Sequence, residues 1–164
     1  MGLARGVVGL AIGAALLAPA AASAAGAGWR IAISDRTARL LIAEDSLARN
    51  GDIVRVKLRA LFGEPRALDE KTGSTFSIAE TSEDIDCAAK RYRNVTVVLM
   101  DEHMTPVETD AQPGDWQSIT EGSPSDTVYA VACGRAGMTQ LKHLDDAPAD
   151  VQRAAYLATL GSSI

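Results

Sequence analysis

The clearest pattern in the chain runs from Ile53 to Leu61, where Val54, Val56, Leu58 and Ala60 alternate with Arg55, Lys57 and Arg59. Successive side chains of a strand point to opposite faces, so this spacing puts an apolar row on one face and a cationic row on the other. A helix would scatter the cations around its circumference. Trp29 to Ser34 alternates in the same way, and Arg39 to Ala43 is a second short strand candidate. Asn50-Gly51, just ahead of Ile53, predicts a tight turn because both residues tolerate positive φ.

Downstream, Gly63-Glu64-Pro65 predicts the end of that strand and Arg66 to Ser74 a charged loop, after which Thr75 to Ala79 resumes the alternation around Phe76 and Ile78. Glu83, Asp84 and Asp86 read as a solvated strand end. Arg91 to Met100, rich in Val, Thr and Tyr and free of Gly and Pro, predicts a long central strand. A turn at Asp101 to His103 follows. Met104 to Glu108 then predicts an edge strand, since Pro106 cannot donate to a ladder, and Gln112 to Asp115 a further turn.

The pattern changes at Ser123-Pro124. Ser is a favoured N-cap, Pro is favoured at the first helical position, and Asp126 suits the positive end of a helix, so a helix is expected from Pro124 to Ala132. Gly134 is placed to stop it. Arg135 to Asp145 has no clear period. Asp146-Ala147-Pro148 predicts a second helix start, with Val151, Ala154, Ala155 and Leu157 facing inward. Strands followed by a helix predict an α+β fold, an antiparallel sheet with the helix packed on one face and the other face wet.

The first 24 residues change how the composition is counted. Arg5, the apolar run Val7 to Leu17, Pro19 and the small residues ending Ala22-Ser23-Ala24 have the layout of a secretory signal peptide. The run is too short and too broken for a membrane anchor, and no other window reaches membrane-spanning length. The mature chain, from Ala25, carries 15 basic against 21 acidic residues, a net charge of −6. An acidic chain lacks the basic surface that nucleic-acid binding requires. With seven aromatic residues, Trp29, Phe62, Phe76, Tyr92, Trp116, Tyr129 and Tyr156, its core must be aliphatic.

Export bears directly on Cys87 and Cys133. In an oxidising compartment two cysteines pair far more often than they act as nucleophiles, so a bridge is expected to hold the Pro124 to Ala132 helix on the sheet. His103 and His143 have no second His or Cys at metal-ligand spacing, and no glycine-bearing calcium loop follows Glu83, Asp84 and Asp86. Phosphate-binding glycine loops are absent, and Asn94-Val95-Thr96, a glycosylation acceptor pattern, falls inside a predicted strand. No cofactor, metal or catalytic set is therefore expected. A small envelope hydrolase is the opposed reading, and the missing acid, base and nucleophile set tells against it. Arg55, Lys57, Arg59, Arg91 and Arg93 would gather on one sheet face if their strands are neighbours, forming a stripe for an acidic protein partner.

Leu41 to Val56, with its acidic-Ser segment, Asn-Gly turn and strand, resembles the early hairpin of the surface-adhesin protein E family. Asp86-Cys87 with Arg91 and Arg93 behind it, and Trp116, Gly122-Ser123-Pro124 and Cys133 in that order, are similar to the family's later motifs. The resemblance covers Trp29 to Gly134. It implies a domain over residues 25–134, a bent sheet of about six strands with its C-terminal helix tied by the disulfide, and residues 135–164 as a partly helical extension. It also implies a protein exported by Gram-negative bacteria, periplasmic, secreted or on the cell surface, that binds host or envelope proteins and forms homodimers. A soluble periplasmic structural or stress-related protein is the alternative, since no lipidation cysteine follows the signal peptide.

Overall fold

The computed structural model describes residues 28–69 and 71–161, so the signal peptide expected over residues 1–24 lies outside the described residues. Nine strands form one antiparallel sheet: β1 Trp29–Ser34, β2 Ala38–Ala43, β3 Ala48–Asn50, β4 Ile53–Asp69, β5 Ser74–Asp86, β6 Arg91–Met100, β7 Pro106–Asp110, β8 Gln117–Ser118 and β9 Lys142–Leu144. Helix α1 spans Pro124–Ala132 and α2 spans Ala149–Gly161. The order across the sheet is β7-β6-β5-β4-β2-β1-β9, with β3 beside β4 and β8 beside β6. The fold is the α+β class expected, with more strands than six. Among the described residues no helix is long and apolar enough to cross a membrane.

Arg91 to Met100 forms a long strand, but it lies next to the β7 edge; β4 and β5 are the longest pair at the sheet's middle. The strand expected to stop at Gly63 continues to Asp69. Its pairing with β5 runs unbroken from Ile53 to Leu61, shifts, and resumes at Arg66. Pro65 has no N–H to offer a ladder, and a register shift is where a strand tolerates that loss. The carbonyls of Phe62 and Gly63, displaced from β5 by the shift, accept instead from the guanidinium of Arg153 on α2 at 2.9 and 3.4 Å. Gly63 leaves room there for the Arg36 carbonyl, which would stand 2.9 Å from an added Cβ.

The sheet is covered on both faces. On the first, Ile42, Val54, Val56, Leu58 and Ile85 pack with Ile119 against Val128, Tyr129, Val131 and Ala132 of α1. This helix follows its local signals: Ser123 Oγ accepts from the Asp126 N–H, and beyond the C-terminus Gly134 turns with φ 72° while the Arg135 N–H donates to the Ala130 carbonyl. Arg49 donates to the Ala132 carbonyl at the same end, at 3.0 Å. On the second face Trp29, Leu41, Leu61, Ile78 and Met100 form a core with Ala149 and Tyr156 of α2.

The inward face of α2 differs from the expected one. Val151 is 53% exposed and Ala154 and Ala155 are exposed, while Gln152, Arg153 and Tyr156 are buried. The reason lies in what the helix covers. Arg39 and Arg59 occupy this face of the sheet, and burying them requires acceptors and a ring: Gln152 Oε1 accepts from Arg59 at 2.8 Å, and the Tyr156 ring lies 4.7 Å under the Arg39 guanidinium. An apolar stripe would remove one acceptor from Arg59 and the ring from Arg39, leaving them to the Glu80, Ala147 and Ser34 oxygens.

Cys87 and Cys133 form the bridge, with Cα atoms 5.6 Å apart, joining the turn after β5 to the end of α1. Tyr129 donates to the Cys87 carbonyl at 3.2 Å beside it. Closing a loop of 46 residues is worth about 4 kcal/mol by chain entropy. We expect the paired Cys87→Ser and Cys133→Ser variant to lose about that much stability, and hydrogen exchange to rise in Pro124–Ala132 before it rises in β4 and β5. Equal loosening of helix and sheet would show that the bridge does not act on the helix in particular.

Candidate functional site

The five cations of the stripe do share the second face, because β5 lies between their strands and brings its own side chains to the same side. The register pairs Arg55 with Asp84, Arg59 with Glu80 and Lys57 with Ser82 across β4 and β5, and Asp84 with Arg93 and Asp86 with Arg91 across β5 and β6. Directly opposed residues of an antiparallel pair point the same way, so a row of carboxylates runs between two rows of cations.

Each carboxylate is engaged. Asp84 takes a bidentate grip from Arg55, Nε to Oδ1 at 2.8 Å and Nη2 to Oδ2 at 3.1 Å, while Arg93 Nη2 reaches Oδ2 at 3.0 Å. Burial alone would raise its pKa, but the hydrogen bonds from Arg55 and Arg93 outweigh that and hold it below the ordinary value. Asp86 is lowered chiefly by the Ala89 N–H, with Arg91 Nε at 2.9 Å and the Ala88 N–H adding to it. Glu80 accepts from Arg59 at 2.6 Å and lies 3.3 Å from Lys57. Asp84 and Asp86, read as part of a solvated strand end, are thus buried, since β6 and its cations continue alongside β5 to its last residue.

The two layers differ in depth. The side chains of Arg55, Lys57, Arg91 and Arg93 are 52, 47, 44 and 31% exposed, against 3, 9 and 20% for Asp84, Asp86 and Glu80. A partner approaching this face meets the cations first. Arg59 does not belong to that outer layer: it is buried, 4.0 Å over the Trp29 ring and bonded to Glu80, Gln152 and the Ala147 carbonyl. At the opposite end half-buried Trp116 has the Arg91 and Arg93 guanidiniums 4.8 and 4.7 Å from its ring. A cleft of about 410 Å³ opens beside Arg55, Asp84 and Arg93, bordered by β3. Trp116 and Glu80 carry no periodic signal; for Trp116 the sequence offered its place in the family resemblance, and for Glu80 nothing.

The remaining candidates fall elsewhere. Glu83 points to the first face, opposite Val56, so it cannot converge with Asp84 and Asp86. His103 sits in an exposed turn near Glu102. His143 pairs through Nδ1 with Glu44, which also lies 2.6 Å from Arg30 Nε, so this group ties β9 to the end of β2. Asn94 lies in β6, opposite Glu83.

Two pH effects of opposite sign follow. Asp84 has a lowered folded pKa, so its contribution is present above the ordinary carboxylate range and disappears as pH falls through the folded value. Asp84→Asn should cost about 2 kcal/mol near pH 7, less than a fully buried pair because water screens the outer arginines. Glu83 is the reverse: burial pushes it from 4.5 up to about 7, so the folded state holds a proton the unfolded state has released, and stability falls as pH rises from 4.5 to 7. Glu83→Gln should remove that slope and raise stability at pH 8 by up to about 3 kcal/mol. Denaturant midpoints of both variants across this range check the signs; a Glu83→Gln protein with the parent's slope would assign it to another group.

Two solved structures of Haemophilus influenzae protein E are similar: one is 14% identical over 66% of this chain and 85% of that one, with a TM-score of 0.47. The other, from a non-typeable strain, is 12% identical over 80% and 89%, with a TM-score of 0.46. Among curated proteins nothing matches. The family model described as surface-adhesin protein E matches residues 29–134, which hold β1 to α1, both cysteines and all five cations of the stripe, and the chain belongs to that family.

Proposed function

We propose that this protein is an exported, non-enzymatic binding module that docks an acidic protein partner on its charged sheet face, through Arg55, Lys57, Arg91 and Arg93 beside Trp116. The observation that carries the reading is the layering: the carboxylates lie inside, already satisfied, and the cation ends stand outside with much of their surface open. Guanidiniums held in place by an inner carboxylate and an aromatic ring lose little freedom on binding, and their planar forks suit carboxylate acceptors. Membership of an adhesin family supports a binding role in the envelope, on the surface or in the medium, with host or envelope proteins as partners. Docking of a second copy is another form the contact can take. The net charge of −6 on the mature chain tells against nucleic acid.

The test needs variants that remove positive charge without freeing a carboxylate. Lys57→Gln leaves Glu80 bonded to Arg59, and Arg91→Gln leaves Asp86 with the Ala88 and Ala89 N–H groups. The mature protein should be used to capture partners from envelope proteins and host matrix proteins in parallel. The double variant is expected to bind the captured partner at least tenfold more weakly at unchanged melting temperature, and the parent's affinity should fall as salt is raised. Salt-independent binding that the double variant retains would place the contact elsewhere.

A further inference from the structure

The first sheet face carries a group for which the stripe gives no use. Glu83 lies among Val56, Leu58 and Ile85, is only 9% exposed, and its Oε2 is buried without a hydrogen-bond partner among the described residues. An unpaired carboxyl in such a place is costly, and native proteins rarely keep one without a reason. It lines a cleft of about 190 Å³ between the sheet and the first turn of α1, whose walls include Leu40, Leu58, Ala79, Pro124 and Val128.

Every element packed around the carboxyl lacks a counter-charge for it. Val56 stands opposite on β4 and Asn94 on β6. The first turn of α1 presents Pro124 and Ser125, and Asp126 is turned toward Lys90 and the Gly122 N–H. Among the described residues Glu83 is the one charged residue lining the cleft.

We propose that this cleft is a binding site for a small primary amine with a short apolar body, the ammonium group pairing with Glu83 and the body lying against Leu58 and Val128. The chemistry fits on three counts. The carboxyl accepts but finds no donor, and a charge-assisted N–H···O bond is the strongest available remedy. The walls are aliphatic and suit a hydrocarbon chain. The volume is below that of a drug-sized pocket, which restricts the ligand to a few carbons. The site is on the opposite face from the cationic stripe and does not depend on it.

The probe is n-pentylamine, titrated into the ¹⁵N-labelled mature protein, with 1-pentanol and pentanoate as controls. Pentylamine should shift the amide signals of Leu58, Ser125 and Val128 and bind at least tenfold more tightly than pentanol, with pentanoate weakest. Because Glu83 titrates near pH 7 while the amine stays charged, affinity should weaken roughly tenfold between pH 8 and pH 6. Glu83→Gln should lose at least tenfold in affinity while keeping the parent's folded spectrum. Ala60→Met, which fills the cleft and keeps the carboxyl, should abolish binding too. Equal binding of pentylamine and pentanol, full affinity in Glu83→Gln, or shifts confined to the opposite face would overturn the assignment.

Discussion

The arrangement depends on the carboxylates of β5 standing between the cations of β4 and β6. Two cationic strands side by side would repel across the ladder, and here the strand between them supplies Glu80, Asp84 and Asp86 at matching positions. Sliding β5 by one residue would send those carboxylates to the aliphatic face and bring Glu83 and Ile85 to the charged one. The ion row therefore fixes the register as firmly as the apolar row on the reverse. Asp84 is the centre of it, because one carboxyl serves both flanking strands through Arg55 and Arg93.

What was legible in the sequence is what neighbours along the chain decide. The alternation through Ile53–Leu61 and α1 with its Ser123 cap and Gly134 stop rest on local rules and appear where local rules put them, and the turn expected at Asn50-Gly51 falls one position on, at Gly51-Asp52. The pairing of the two cysteines was legible because the export expected from the first 24 residues left few alternatives. The inward face of α2 was not, because helical apolar periodicity assumes an apolar partner, and this helix lies on Arg39 and Arg59. Glu83, Asp84 and Asp86 looked solvated because a cluster of acids near a cysteine gives no sign that strand pairing brings Arg55, 29 positions away, and Arg93 and Arg91, 9 and 5 positions away, onto two of them. The continuation of β4 past Pro65 was hidden for a related reason: the residue that satisfies the shifted carbonyls, Arg153, comes from ninety positions downstream.

The two helices meet chemically different faces, and the chain holds each by a different means. The α1 face is aliphatic, so burial alone favours docking, and the disulfide with the Tyr129 hydroxyl bond fixes where the end of the helix sits. The α2 face holds buried charge, so docking there depends on directed contacts: Gln152 to Arg59, Arg153 to the Phe62 carbonyl, and the Tyr156 hydroxyl to the Asp35 carbonyl. Contacts of the first kind tolerate small shifts. Those of the second kind do not, since hydrogen bonds weaken steeply with misalignment.

That difference bears on residues 135–161, which lie beyond the family match yet are built into the sheet. β9 pairs with β1, His143 ties it to Glu44, and α2 closes over β4. Arg59 sits on the same strand and face as Arg55 and Lys57, and without α2 it would be a fifth outer cation next to Lys57. The tail converts it into a core residue, enclosed by Trp29, Glu80 and Gln152. The extension therefore sets one boundary of the exposed cationic face, with Trp116 and β8 at the other side, and the four remaining cations are confined to the part of the sheet that no helix covers.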